Sequence, residues 1–141
     1  MQVLEGIKQK NFLVIGRVGM DMCPEPAGSA VEDATTMMVA MGGSSANIAA
    51  GLVKFGMKAS LVTRVSDDAV GRYCVNQLGH YGVDTTHVKP IAGEFRNSLA
   101  LYETRVENHN SVIYRNGAAD FQMSIEDVEA VDYSQFGALI T

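Results

Sequence analysis

The chain has 141 residues, 47% of them hydrophobic and 19% charged, with a net charge of −5. That length builds one domain with a real core, the balance describes a globular chain, and acidic charge without a Lys/Arg cluster excludes a nucleic-acid or anionic-membrane surface. No apolar run reaches spanning length, Met1–Met20 lacks the apolar core and cleavage site of a secretory leader, and Cys23 and Cys74 have neither metal-ligand nor redox spacing, so a cytoplasmic protein with two reduced thiols is expected.

Residues 12–18, FLVIGRV, follow the polar KQKN and read as a buried, parallel strand. It empties into Gly19-Met20-Asp21, which places Asp21 just past a strand end, where open α/β sheets hold their ligands. Gly16 and Gly19 form no GxGxxG and no helix follows them, so a dinucleotide-binding domain is rejected. Pro24, Pro26 and Gly28 break the chain, and Thr35–Met41 is a second strand leading to a glycine pair. The helix expected over Ala46–Phe55 carries Ile48, Leu52 and Phe55 at helical spacing, with Ser44 or Ser45 as its cap and Gly56 as its C′ residue. Ala59–Val65 is the next strand. Ser66 and Asp67 then cap a helix with Val70, Cys74, Leu78 and Tyr81 on one face, ended by Gly82. A short strand near His87–Ile91 continues this alternation, which implies a parallel sheet with right-handed crossovers.

The rhythm then changes. Ser98–Glu103 and Ser111–Tyr114, joined by the polar Arg105–Asn110, read as a hairpin that forms a small antiparallel layer with the Met20–Met41 excursion. Ser124 to Asp127 is a capping-box start to a short helix, and Phe136–Thr141 opens a last buried strand. A sheet interrupted there is expected to be the front part of something longer.

Met41–Gly56, MGGSSANIAAGLVKFG, is the stretch with most chemical content. Gly42 and Gly43 let backbone approach a ligand, the helix start offers spare N–H donors, and Asn47 presents donor and acceptor together from a rigid position. An ordinary glycine turn ahead of a core helix explains the same residues equally well. Asp67 and Asp68, at a helix start, are assigned to capping, and His80, His87 and His109 lack metal-ligand spacing, so no metal site is named. No GxxxxGK(S/T) phosphate loop occurs.

GGSSANIAAGLVKFG followed by TRVSDDAVGRY resembles the N-terminal signature of the ribokinase-like (PfkB) carbohydrate kinases, and VIGRVGMD with SVIYRNGAADF narrows the likeness to the sugar-acid branch of that family. The resemblance covers nearly all of 11–141. It implies a three-layer α/β fold with a parallel central sheet and a small antiparallel β lid, residues 1–141 being the N-terminal part of one kinase domain with lid segments near 20–41 and 95–117. It implies ATP-dependent phosphorylation of 5-dehydro-2-deoxygluconate, a sugar acid of inositol catabolism, at its primary hydroxyl. The alternatives are 2-keto-3-deoxygluconate or another sugar, or a non-catalytic sugar-binding protein on the same fold.

Carried over from the family, Asp21 accepts hydrogen bonds from sugar hydroxyls, Gly42 and Gly43 bring backbone against the sugar, and Asn47 pairs with its hydroxyls. Arg115 supplies the two-pronged donor a carboxylate substrate requires, with Arg17 as second candidate for the same anion. On spacing alone Arg115 serves equally as a solvated hairpin arginine. The family's catalytic aspartate, anion hole and nucleotide pocket are expected beyond Thr141, so no catalytic or ATP-binding residue is named, and ATP and Mg²⁺ are implied without a site. The 141-residue chain alone is therefore expected to be inactive, and a homodimer through the lid is implied by analogy. Ser45 and Ser66 stand where the family more often has glycine or, at the first, alanine, and local adjustment is expected at both.

Overall fold

Asn11–Ile15 form β1, the strand on which both layers of the fold are hung. The structure is a computed structural model and describes residues 10–141, so the leader reading over Met1–Met20 falls partly outside the described residues. After β1 come β2 (Gly19–Glu25), β3 (Thr36–Gly42), α1 (Ser44–Lys54), β4 (Lys58–Ser66), α2 (Ala69–His80), β5 (Val88–Ile91), β6 (Leu99–Tyr102), β7 (Ser111–Tyr114), α3 (Ile125–Glu129) and β8 (Ala138–Ile140). Among the described residues no helix is long and apolar enough to cross a membrane.

The central sheet runs β5-β4-β1-β8 with every pairing parallel, as the alternation of strands and helices implied. Successive side chains of β1 point to opposite faces, so Val14 joins Leu61, Ala46, Ala49, Cys74 and Leu78 on the side of α1 and α2. Leu13 joins Val62 and Val131 on the other, with Met123 and Phe136 packed against them. Leu13, Leu61, Leu78 and Val62 are fully buried, each contributing about 1.5–3 kcal/mol relative to exposure. This is the expected three-layer arrangement.

Two helix faces differ from expectation. In α1 the buried stripe is Ala46, Ala49 and Ala50, whereas Ile48 is 43% and Phe55 84% exposed. The helix lies close against the sheet, where methyl groups fit and large side chains do not. Leu52 alone of the expected three packs on the core. In α2, Cys74 and Leu78 face inward as expected, but the third position is Gly71, whose added Cβ would stand 1.8 Å from the Ser66 carbonyl oxygen.

The caps differ too. The N-cap of α1 is Gly43, at φ +97°, and Ser44 and Ser45 lie inside the helix. Ser45 packs against Gly16, where a Cβ would fall 2.0 Å from its Oγ. For α2 the cap is Asp68, accepting from the N–H groups of Val70 (2.9 Å) and Gly71 (3.0 Å), with the Ser66 hydroxyl 2.8 Å from its carboxylate. Ser66 thus supports the cap. Gly56 and Gly82 end their helices with φ near +80°, as read.

The lid sheet runs β3-β2-β6-β7. β2 pairs antiparallel with β3 and β6 antiparallel with β7, but the seam between them, β2 to β6, is parallel, so the lid is mixed and not purely antiparallel. The reason is that β6 leaves the end of the central sheet in the same direction as β2. Asn97, buried just before β6, fixes that departure. Its Nδ2 donates to the Val18 carbonyl (3.2 Å) and to Cys74 Sγ (3.3 Å), while its Oδ1 accepts from the Ser66 N–H (2.6 Å). One amide thus ties the lid root to β4, α2 and the β1–β2 linker. At the far end of β6, buried Glu103 accepts from the N–H groups of Val31 (3.0 Å) and Asn110 (2.8 Å) and from Arg105 (2.7 Å), closing the lid loops.

Candidate functional site

Gly16 ends β1 early, and the chain turns through Arg17 and Val18 into the lid. Asp21 consequently sits within β2, not just past the first strand. Its register partners across the lid are Ala40 on β3 and Ala100 on β6, with Ile113 of β7 next to Ala100. Residues paired in register project to the same face, so the carboxylate has small apolar neighbours on both sides.

The glycine pair shapes this place in two different ways. A Cβ on Gly42 would fall 1.9 Å from Asp21 Oδ1 and 2.3 Å from its Cγ, so the missing side chain is the space the carboxylate occupies. Gly43 instead lets two backbones meet. Its added Cβ would stand 2.7 Å from the Arg17 carbonyl oxygen, and that oxygen accepts from the Ala46 N–H at 3.3 Å. The close approach expected toward a ligand is, at Gly43, an approach to the β1–β2 linker.

Together these residues line a small pocket of about 20 Å³, with Arg17, Asp21, Gly43, Ser98, Ala100 and Ile113 among its walls. It lies beyond the carboxyl ends of the parallel strands, as ligand sites of open α/β sheets do. Burial raises the pKa of Asp21, and the neighbouring Arg17 guanidinium partly offsets this by lowering it. Among the described residues no hydrogen bond contributes to that balance, which leaves the carboxylate oxygens open to an incoming donor. Such a group accepts from hydroxyls about twice as strongly as a neutral oxygen.

A larger cavity, about 660 Å³, opens at the opposite ends of the strands near Asn11, Lys58, Asp84 and Asp132. Its carboxylates are already engaged, Asp84 by Ser60 and Thr86 and Asp132 by Ser134 and Gln135. Size alone does not make it the better site.

Of the residues singled out in the sequence, Arg17, Asp21, Gly42 and Gly43 are brought together. Asn47 is exposed in α1, its backbone N–H closing the first turn on the Gly43 carbonyl at 3.0 Å, and it is not among the cavity-lining residues. Arg115, directly after β7, also lies outside that lining. Its Nε donates to Asp120 Oδ2 at 3.2 Å, its Nη2 contacts the same oxygen, and its guanidinium stacks 4.3 Å from the Phe121 ring centroid. Residues that sequence reasoning passed over are Ser98, Ala100 and Asn97. The available signal was the small polar Asn97-Ser98 pair at the foot of an apolar strand.

The sequence model of the pfkB family carbohydrate kinases matches residues 9–141. The chain is 32% identical over 123 residues to a 5-dehydro-2-deoxygluconokinase of Geobacillus kaustophilus, covering 86% of this chain and 37% of the relative. It superposes on 2-dehydro-3-deoxygluconokinase of Thermotoga maritima with a TM-score of 0.75 at 24% identity, covering 83% of this chain and 36% of that one. An uncharacterized sugar kinase of Pyrococcus horikoshii, solved in complex with ATP, gives 0.75 at 22% identity over 88% of this chain and 39% of that one. The chain thus spans under two fifths of the length of the relatives it matches.

Proposed function

Because the chain belongs to the pfkB family of carbohydrate kinases, we propose that it is the acceptor-binding part of an ATP-dependent kinase that phosphorylates the primary hydroxyl of 5-dehydro-2-deoxygluconate. The observation that carries this proposal is the half-buried Asp21 carboxylate, held in the space left by Gly42, facing a small pocket and bonded to no donor among the described residues. Sugar hydroxyls are the donors such a group suits, and their loss would leave it unsatisfied at a cost of about 1–3 kcal/mol.

Phosphoryl transfer depends on positioning and charge stabilisation, and this part of the protein supplies the positioning. The kinase relative and the family support the substrate class and the use of ATP, which Mg²⁺ would accompany. Neither group is assigned to these residues. Among those described, no cluster of three metal-ligating side chains occurs, and Asp68 is engaged in capping α2. Inositol catabolism as the setting follows from the proposed substrate alone.

Two cations can read the acid group. Arg17 shares the cavity with Asp21, and Arg115 offers the planar fork at the end of β7. In the full-length protein, Arg115→Ala is expected to raise KM for 5-dehydro-2-deoxygluconate about tenfold more than KM for a neutral sugar such as fructose. Steady-state kinetics on the two sugars measures this, and equal losses would show that Arg115 does not read the carboxylate. A homodimer through the lid belongs to the same proposal, since exposed Met38 and Val39 on β3 and Val112, Ile113 and Tyr114 on β7 leave both lid edges apolar.

A further inference from the structure

Asp120 has no place in the proposed site, yet its carboxylate is buried, with a side-chain exposure of 6%. Only one of its oxygens is used. Oδ2 receives both the Nε and the Nη2 of Arg115, while Oδ1 is the one buried side-chain oxygen among the described residues without a hydrogen-bond partner. A pair built for stability would engage both oxygens in a fork, the stronger and more common geometry. This one is lopsided, and it leaves a buried acceptor bare.

The surroundings explain where the order goes. Asp120 belongs to the short 3-10 turn Ala119–Gln122, which begins at fully buried Ala119 and is anchored by the Ala119 N–H to the Arg96 carbonyl at 2.8 Å. Phe121 on the same turn puts its ring 4.3 Å from the Arg115 guanidinium carbon. The guanidinium is therefore held from two directions, by a carboxylate along its Nε side and by an aromatic face beneath its plane. Of its five N–H donors, those of Nη1 and the second of Nη2 make no side-chain or backbone hydrogen bond to a described residue. They form one edge, the edge a planar carboxylate takes in a two-pronged pair.

We propose that Asp120 and Phe121 are positioning residues that hold Arg115 with its free Nη1–Nη2 edge presented to the carboxylate of the sugar acid. This rests on the proposed sugar-acid function and adds to it the means by which a single arginine is kept from swinging into solvent. Neither residue touches the substrate. An arginine fixed before binding loses less side-chain freedom when the acid arrives, and a displacement of about 1 Å is enough to weaken the reaction about a hundredfold in sensitive cases.

The test is a set of variants in the full-length protein, assayed for KM and kcat on 5-dehydro-2-deoxygluconate and on fructose, with thermal unfolding recorded for each. Asp120→Asn is expected to raise KM for the acid about tenfold, with kcat and the KM for fructose within about twofold. In an Arg115→Lys background the same change is expected to add less than about twofold, because the group it positions is gone. Equal effects on both sugars, no effect on either, or an undiminished effect in the Arg115→Lys background would each overturn the proposal. Should Asp120→Asn fail to fold, Phe121→Leu decides, since Phe121 is 58% exposed and its loss does not open the core. That variant is expected to raise KM for the acid about threefold and leave fructose unchanged, and identical kinetics to the parent would overturn the proposal. If the parent protein shows no preference for the acid, the functional proposal fails and this one with it. If the preference exists and Arg115→Ala removes it while Asp120→Asn and Phe121→Leu do not, only this inference fails.

Discussion

Gly42→Ala is expected to lower the affinity for the sugar acid about a hundredfold while leaving the fold intact, a loss of about 3 kcal/mol. The added methyl would fall 1.9 Å from Asp21 Oδ1, and the atom that must yield is the end of a side chain, not backbone. Asp21 therefore swings out of its place, and the charged acceptor no longer meets the hydroxyls, each such bond being worth about 1.5–3 kcal/mol. The neighbouring Gly43→Ala provides the contrast. There the Cβ would meet the Arg17 carbonyl oxygen at 2.7 Å from a residue at φ +97°, so that variant loses thermal stability by about 1–3 kcal/mol. Calorimetric titration with unfolding scans separates the two. Unchanged sugar affinity in Gly42→Ala would show that the carboxylate is not the acceptor.

Asp127→Ala is expected to destabilise the fold by about 3–4 kcal/mol, the range for breaking a buried ion pair from one side. Asp127 is the N3 residue of the α3 capping box, its Oδ2 accepting from the Ser124 N–H at 3.0 Å. It also takes Arg64 in a two-pronged pair, Nε and Nη2 each at 2.7 Å, and Lys89 at 3.2 Å. Burial pushes its carboxyl upward, but Arg64, the Ser124 N–H and Lys89 together hold it at about 2, below the ordinary 3.8. A carboxyl depressed in the folded state stabilises fully above its unfolded value and loses that contribution as pH falls. Here the window runs from about pH 4 down to about 2, and the amount is about 2 kcal/mol. Urea unfolding at pH 7 and at pH 3 measures it. The gap between parent and Asp127→Ala should narrow at the lower pH, and a gap independent of pH would contradict the assignment.

Much of this architecture can be read from local residues. The apolar runs of β1 and β4, the glycines that end both helices and the Ser124 capping box each act within a few positions, so the sequence pattern and the structure agree there. The lid seam is different. β2 and β6 pair across some eighty residues, and nothing local to either strand says that they run parallel. The face of α1 was obscured because alanines carry little hydrophobic weight, although Ala46, Ala49 and Ala50 have the right spacing. At α2 three adjacent residues could cap, and only geometry selects Asp68.

At the site, the residue types were legible and their contacts were not. GG ahead of an alanine-rich helix marks a close approach, but that Gly42 makes room for Asp21 and Gly43 for the Arg17 backbone depends on how β2 and β3 register, Gly19 facing Gly42. Arg115 stood out as a planar donor after a strand. Its attachment to Asp120 and Phe121 lies in an irregular 3-10 turn, where no periodicity predicts which side chains meet.

The central claim is that Asp21 is the anchor of a sugar-acid site. It is tested most directly by isothermal titration of 5-dehydro-2-deoxygluconate into the full-length protein and its Asp21→Asn variant. Saturable binding by the parent, weakened about a hundredfold or more in Asp21→Asn with the unfolding midpoint retained, is the predicted result. Equal binding by the two proteins would contradict it.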